Sequence, residues 1–298
     1  MRESARAKLN LTLEVGPLRP DGYHELNTYM VAIDWVDAVR VRPARGPTDL
    51  LSVRGLPAPA GARNLALRAV RAWRDAGARG HVSVTLTKRL WSGAGLGGGS
   101  SDAAATLRAL SRLVPLPAAD PVAVAARVGS DVPFFVTGWV GAVATGRGER
   151  LAVAPALPTT WRVVLVRPPW SLSTAAVYRR ADRLPGGTPP PGRSDALRQV
   201  LARAQAGGGD AGGEQALTEV AGLVRNDLWP AALSLRPGMA QVRAALAAAV
   251  GPHRPVLLAG SGSAMFALVE DGALAARAAR CLAGRGLRVR VARPAGGA

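Results

Sequence analysis

A glycine-rich segment between an expected strand and an expected helix constrains the fold of this 298-residue chain most strongly. Residues 81–86 alternate apolar and polar side chains, which predicts a strand. Residues 103–110 place apolar side chains at helical spacing. Five glycines fall within positions 93–99, and Ser100, Ser101 and Asp102 follow them. Glycine lacks a Cβ atom, so backbone N–H groups here can approach a ligand closely. Because Ser and Asp are favoured helix N-caps, we expect the helix to begin near Ser101 and its N-terminus to bind an anion, most often phosphate.

Comparison with known phosphate-binding motifs excludes several types of loop. Gly93-x-Gly95-x-x-Gly98 matches the dinucleotide fingerprint, and Asp120 lies at a suitable distance for its acidic residue. The sequence around Asp120, VPLPAADP, cannot form the buried parallel strand that this fingerprint requires. No Gly-Lys-Ser/Thr closes the loop, and His-Arg-Asp and Asp-Phe-Gly motifs are absent. The loop is therefore expected to bind phosphate in another way than a Walker A loop or a protein kinase does.

Composition excludes several classes of protein. A hydrophobic content of 48% is too high for a mainly disordered chain. The single cysteine, Cys281, excludes an internal disulfide and a cysteine-based zinc cluster, and it suits a reducing cytosol. The N-terminus lacks the apolar run of a signal peptide, and residues 122–143 contain Arg127, Asp131 and Pro133. We therefore expect a cytoplasmic protein without a membrane segment.

The formal net charge of +18 allows two interpretations. Basic proteins often neutralise nucleic-acid phosphates. Here the arginines are scattered over the whole chain and aromatic residues make up only 4%, which favours attraction of polyanionic small substrates. Arginine occupies nearly every basic position, and Lys8 and Lys88 are the only lysines. A lysine retained against this bias is more often needed as a compact ammonium group.

Two side chains stand out as candidates for chemistry. Residues 7–15 alternate polar and apolar, which predicts a half-buried strand with Lys8 and Asn10 on its polar face. Asp131 lies in an apolar setting before a short expected helix, where it is either an N-cap or a catalytic carboxylate. Sequence alone leaves both interpretations open.

The second half of the chain contains another glycine loop. Residues 260–263 (GSGS) separate two apolar strands, either as a hairpin turn or as backbone that approaches the first loop. The expected domain boundary lies at residues 155–158, so the domains are 1–157 and 158–298. Residues 185–193 and 206–213 are rich in Pro and Gly and are expected to be mobile surface loops.

Four separated segments resemble the motif set of the GHMP small-molecule kinases. They are Lys8-Leu-Asn-Leu, the GLGGGSS loop at residues 95–101, Ser-Asp-Val-Pro around Asp131, and GSGS at residues 260–263. Within that family, residues 20–26 (PDGYHEL) and 225–228 (RNDL) are similar to the branch that phosphorylates the 2-hydroxyl of 4-diphosphocytidyl-2-C-methyl-D-erythritol in the non-mevalonate route to isoprenoids. Each motif is weak alone, but their shared order and spacing are specific.

The resemblance implies a role for each matching residue. Asp131 would accept the proton of the attacking hydroxyl, Lys8 would keep Asp131 ionised and stabilise the transferred phosphoryl group, and Asn10 would orient the acceptor. Tyr23 and His24 would contact the cytidine, and Tyr178 would stack on its base. The residues expected to bind ATP are Asn64, Lys88, Gly93, Ala94, Gly95, Leu96, Gly97, Gly98, Gly99, Ser100 and Ser101.

The resemblance also implies a fold and a set of ligands. The fold would be α+β in two domains, the first like the second domain of ribosomal protein S5 and the second ferredoxin-like. ATP would be the phosphoryl donor, with Mg²⁺ whose ligands stay unassigned, and a cytidine diphosphate-linked polyol the acceptor. No nucleic acid or membrane partner is expected, and the chain would be a monomer or weak homodimer. A nicotinamide-dependent oxidoreductase and a basic nucleic-acid-binding protein stay as alternatives, as does a mevalonate- or homoserine-type acceptor.

Overall fold

The computed structural model describes residues 1–116, 119–184, 193–206 and 214–296. The predicted surface loops, except for residues 193 and 206, lie outside the described residues. The strands are β1 (Arg2–Leu18), β2 (His24–Pro43), β3 (Leu50–Gly55), β4 (Val82–Lys88), β5 (Gly141–Gly146), β6 (Arg150–Val153), β7 (Arg162–Arg167), β8 (Arg225–Asn226), β9 (Val256–Leu258), β10 (Met265–Val269) and β11 (Arg288–Ala292). The helices are α1 (Leu65–Asp75), α2 (Gly98–Leu113), α3 (Pro121–Val128), α4 (Val132–Thr137), α5 (Thr174–Ala181), α6 (Arg193–Ala206), α7 (Glu214–Leu223), α8 (Trp229–Leu235), α9 (Met239–Val250) and α10 (Gly272–Gly284).

The described residues form two compact units. Unit 1 contains Met1–Lys8, Trp35–Ser92 and Gly97–Trp139, and unit 2 contains Leu9–Asp34, Gly93–Leu96 and Val140–Ala298. The strands β1 and β2 each contribute residues to both units, so the units are not continuous along the chain. The division into residues 1–157 and 158–298 stays a prediction about folding domains.

Unit 1 combines strand segments from β1, β2, β3 and β4 with four α-helices. In it, β3 pairs in parallel with β4, and β4 pairs antiparallel with residues 38–43 of β2. Alternate residues of β4 are buried, from Val82 to Lys88, as the period of a strand requires. The helices α1, α2, α3 and α4 pack on one another, and the rings of Trp73 and Phe134 are fully buried.

Unit 2 contains an antiparallel sheet in the order β11-β7-β10-β9. If the four strands are numbered 1 to 4 in chain order, they lie side by side in the order 4-1-3-2. With helices between β7 and β9 and between β10 and β11, this arrangement confirms the ferredoxin-like prediction. The core lies between the sheet and helices α8, α9 and α10, whose buried residues include Met239, Leu246 and Leu282.

Strand β1 differs from its prediction. Residues 7–14 are all buried, on both faces of the strand, so β1 is not half-buried. Its polar residues are therefore enclosed, and each needs a hydrogen-bonding or ionic partner. Burial of Lys8 and Asn10 makes their partners informative about function.

Candidate active site

The predicted strand, glycine loop and helix follow in the expected order, with a shifted helix start. Helix α2 begins at Gly98, and its N-cap residue is Gly97 rather than a serine or aspartate. Ser100 and Ser101 thus belong to the first turn, because the glycines can adopt the turn backbone without help from a capping side chain. The Ser101 amide donates to the Gly97 carbonyl at 2.8 Å, so the preceding amides of this turn are those without a helical partner. They and the helix dipole favour an anion at this point.

Gly97 explains why this loop requires glycine. Its φ is 70°, in the left-handed region. A Cβ atom there would lie 2.9 Å from Cζ of Phe135 and 3.1 Å from Cγ of Lys8. The backbone of the loop therefore packs directly on the aliphatic stem of Lys8, which brings the first turn of α2 close to a buried lysine.

Lys8 and Asp131 lie together in unit 1. The Lys8 Nζ is 3.4 Å from the Asp131 Oδ2, and the two side chains are 5% and 34% exposed, respectively. Asp131 occupies the N-cap position of α4, but its side chain makes no capping hydrogen bond. The N-cap interpretation thus holds for the backbone and is wrong for the side chain, which is directed to the lysine. This pair joins a buried ammonium to a partly exposed carboxylate.

Lys88 has two carboxylate partners that sequence reasoning missed. It is 5% exposed and bonds to both Asp37 and Asp102, the latter at 2.5 Å. Asp37 also accepts hydrogen bonds from the amides of Arg89 and Leu90. Burial raises the pKa of Asp102 to about 7, while the Lys88 ammonium opposes the rise and the Asp37 carboxylate adds to it. Alternation along β4 places Lys88 on the buried face, and that was the available signal that it needed an acidic partner.

Asn64 begins helix α1 in the same unit. Its Oδ1 accepts from the amide of Ala66 at 3.0 Å, and its Nδ2 donates to the Pro59 carbonyl at 2.8 Å. The side chain therefore caps α1 through its oxygen and binds the preceding loop through its nitrogen. Leu65, next to it, lies 3.5 Å from the position of a Cβ on Gly99, which places the start of α1 near the first turn of α2.

In unit 2, the second glycine loop packs against residues 93–96, the part of the first loop that belongs to the same unit. A Cβ on Gly95, whose φ is 80°, would lie 1.7 Å from the Ala259 carbonyl oxygen. Ala94 and Leu96 are buried and hold this part of the first loop in place. Of the two interpretations of residues 260–263, the close approach of the two loops is confirmed, and the segment also joins the hairpin of β9 and β10.

Asn226 holds the second loop in position, a role that the sequence did not suggest. Its Nδ2 donates to the carbonyls of Leu258 and Gly260 at 2.9 and 2.7 Å, and its Oδ1 accepts from the amide of Leu228. All hydrogen-bonding groups of this buried amide are thus used. The RNDL segment, noted above for its family resemblance, therefore positions the second glycine loop.

Asn10 also lies in unit 2, buried beside Thr28. Its Nδ2 donates to Thr28 Oγ1 at 2.7 Å, and that hydroxyl donates to the Thr12 carbonyl at 2.6 Å. The Asn10 Oδ1 lies 3.6 Å from the position of a Cβ on Gly260. The amide is therefore held in a defined orientation with its oxygen near the second glycine loop.

The three predicted cytidine-binding residues also lie in unit 2. The rings of His24 and Tyr178 are 5.4 Å apart, and the Arg147 guanidinium lies 5.0 Å from the half-exposed Tyr23 ring. The His24 Nδ1 is 3.0 Å from the Gly16 carbonyl oxygen, and its Nε2 is 3.1 Å from Asp182. Both ring nitrogens thus have acceptors in the protein.

Three further observations concern a dinucleotide-binding fold, a metal site and a membrane-spanning helix. Asp120 is the N-cap of α3, accepting from the Val122 amide at 2.9 Å, and not the end of a strand, which argues against a dinucleotide fold. Within the described ranges, no three His, Cys, Asp or Glu side chains cluster so as to hold a metal ion. Mg²⁺ is commonly bound through substrate phosphates and water with only one or two protein carboxylates. In the same ranges no helix has the length and apolarity needed to cross a bilayer.

Comparison with known proteins gives the family. Residues 64–138 match the GHMP kinases N terminal domain. A 4-diphosphocytidyl-2-C-methyl-D-erythritol kinase from Deinococcus radiodurans is 41% identical over 94% of this chain and 88% of its own, and one from Moorella thermoacetica is 40% identical over 92% of each. A crystal structure of 4-(cytidine 5'-diphospho)-2C-methyl-D-erythritol kinase, 36% identical, superposes with a TM-score of 0.74 over 99% of this chain and 100% of that one.

A more distant likeness defines the fold alone. The mevalonate kinase of Methanococcus jannaschii is 13% identical, with a TM-score of 0.67 over 99% of this chain and 98% of that one. The chain therefore has the α+β GHMP kinase fold and is a small-molecule kinase that belongs to the 4-diphosphocytidyl-2-C-methyl-D-erythritol kinase family.

Proposed function

We propose that this kinase transfers the γ-phosphoryl group of ATP to the 2-hydroxyl of 4-diphosphocytidyl-2-C-methyl-D-erythritol, in the non-mevalonate route to isoprenoid precursors. The names and high coverage of the relatives support this acceptor. The observation that carries the chemistry is the Lys8–Asp131 pair at 3.4 Å, in which the stem of Lys8 packs against Gly97, the N-cap of α2. The pair combines a carboxylate able to take a proton with a cation able to stabilise charge.

The phosphates of ATP are proposed to bind residues 93–101. The free amides of the first turn of α2 would donate to phosphate oxygens, and the dipole of this 16-residue helix would add favourable potential. Asn64 and Lys88 are proposed to border the nucleotide. Since both side chains already have protein partners, their contribution would be mainly to hold the loop and the start of α1 in place.

Asp131 is proposed as the general base. The acceptor oxygen would attack the γ-phosphorus as the bond to the ADP oxygen breaks, and the hydroxyl proton would pass to Asp131. The products are ADP and the 2-phosphorylated acceptor. Lys8 would stabilise the negative charge that spreads over the transferred oxygens, and its burial strengthens that interaction.

The acceptor is proposed to be held by residues of unit 2. Asn10 would orient the polyol, Tyr23 and Tyr178 would offer aromatic faces to the cytosine, and His24 would bond to its edge. Because both His24 nitrogens already face acceptors, a bond to the base requires exchange with Asp182 or the Gly16 carbonyl.

The test is direct turnover with a panel of acceptors. The protein with ATP-Mg²⁺ is incubated with the cytidine diphosphate-linked polyol, mevalonate or homoserine, and ³¹P NMR follows ADP and the new phosphomonoester. We expect product only with the first acceptor, and at least a hundredfold less of it from Asp131→Asn. Product from mevalonate or homoserine alone would refute the acceptor, whereas full activity of Asp131→Asn would refute the base.

Location and assembly belong to the same proposal. A cytoplasmic monomer or weak homodimer, folded as domains 1–157 and 158–298 and without a nucleic-acid partner, fits a metabolic kinase. Retention on RNA at physiological salt together with no ATP turnover would favour the nucleic-acid alternative instead.

A further inference from the structure

The trio of Lys88, Asp37 and Asp102 plays no direct part in the proposed chemistry. It nevertheless contacts both ends of residues 89–98, which lead into the proposed phosphate loop at residues 93–101. One ammonium faces two carboxylates, all three are buried, and Asp102 Oδ1 has no hydrogen-bond partner. A buried carboxylate oxygen without a donor is costly when it is charged. When both carboxylates are ionised, the trio therefore carries one negative charge more than its single ammonium balances.

Contacts tie the trio to both ends of the loop. Lys88 ends β4, and Asp37 binds the next two backbone amides, where the loop begins. Asp102 lies four residues after Gly98, about one helical turn into α2. The Lys88 Nζ is also 3.6 Å from the position of a Cβ on Gly98, at the start of that turn. The trio thus connects β4, β2 and the turn that carries the free amides.

The charge state of the trio acts on an anion bound to that turn. With Asp102 ionised, the net charge of the trio is negative, and it weakens the potential that the amides offer to phosphate. With Asp102 protonated, the trio is neutral and the potential recovers. The charged groups that act on Asp102 are Lys88 on β4 and Asp37 on β2, and its pKa of about 7 makes both states accessible under ordinary conditions.

We propose that Asp102 is a positioning residue of the phosphate loop, and that it takes up a proton when nucleotide phosphates bind at the N-terminus of α2. This rests on the proposed function, since it assumes that ATP binds there. Binding of an anion and of the proton favour one another, so each raises the affinity of the other by the same factor.

Titration calorimetry of ADP binding tests the proposal on the whole protein. Measured at pH 7.5 in two buffers of different ionisation enthalpy, the wild-type protein takes up more protons than Asp102→Asn does. The wild-type affinity also falls by about three- to tenfold between pH 6 and 8.5 relative to that variant, the size of a shift of 0.5 to 1 pKa unit. Titration of ADP itself is common to both proteins and cancels.

A second variant keeps the test decisive. Asp37→Asn leaves one carboxylate for Lys88, so Asp102 stays ionised and the proton uptake is lost, as in Asp102→Asn. Equal proton uptake and equal pH dependence in wild type and either variant would overturn the proposal while leaving the kinase assignment intact. Absence of ADP binding to the wild type would instead overturn the proposed function on which it rests.

Discussion

Replacement of Lys8 by methionine separates the proposed chemistry from the fold. Methionine keeps an unbranched stem that can pack beneath Gly97, where the Lys8 Cγ lies 3.1 Å from the position of a Cβ. It removes the ammonium 3.4 Å from Asp131. Loss of one preorganised, buried charge of this kind typically lowers kcat by about 10²–10³-fold, or roughly 3–4 kcal/mol. We therefore expect a loss in that range.

In Lys8→Met, nucleotide binding and the free energy of unfolding should change much less than kcat. The amides of α2 are untouched, so KM for ATP should stay within about threefold. Asp131 is 34% exposed and stays hydrated in the variant. Loss of its ion pair therefore lowers the free energy of unfolding by at most about 1 kcal/mol, and burial of the methionine offsets this loss.

Steady-state kinetics with a coupled ADP assay and thermal unfolding together measure these effects. Because Lys8 and Asp131 act on one step, the double variant Lys8→Met/Asp131→Asn should be little slower than the slower single variant. A normal kcat for Lys8→Met, with the fold intact, would refute the role of the ammonium.

Three further predictions concern the loops and the buried trio. Gly97→Ala should lower the free energy of unfolding by about 2–4 kcal/mol in urea titrations, because the left-handed backbone and the Phe135 contact both oppose a Cβ. Gly99→Ala is its control and should not lower stability, since its nearest neighbour lies 3.5 Å away in ordinary contact. Asn226→Ala should cost about 1–3 kcal/mol by calorimetry, because two loop carbonyls lose their donor, and an unchanged melting temperature would contradict this. The folded protein holds the Asp102 proton up to about pH 7, whereas the unfolded chain releases it near 3.8. The wild type should therefore lose about 1–4 kcal/mol relative to Asp102→Asn as pH rises through this window and no more above it, and a difference that is flat with pH would contradict the raised pKa.

Local features were predicted well because they depend on neighbours in the chain. The change from a period of two to helical spacing identified β4 and α2. The helix start at Gly98 was missed, because glycine at the cap leaves no side-chain signature.

Partnerships between distant residues could not be predicted in the same way. Asp37 lies 51 positions before Lys88, and Asn226 lies 34 positions before the carbonyl of Gly260 that it binds. No local sequence pattern identifies the distant partner of Lys88 or of Asn226. Only pairing of the strands and packing of the loops made them neighbours.

The sequence by itself determined the order of elements, the glycine loop and, through separated motifs, the kinase family. The tertiary structure decided what the polar residues touch. Asp131 shows the physical reason: at a helix start, a carboxylate can bind its own backbone amides or a distant cation. Which of the two partners it binds depends on whether folding brings the residue 8 side chain within about 4 Å of it. In the structure the Lys8 Nζ lies 3.4 Å from the Asp131 Oδ2.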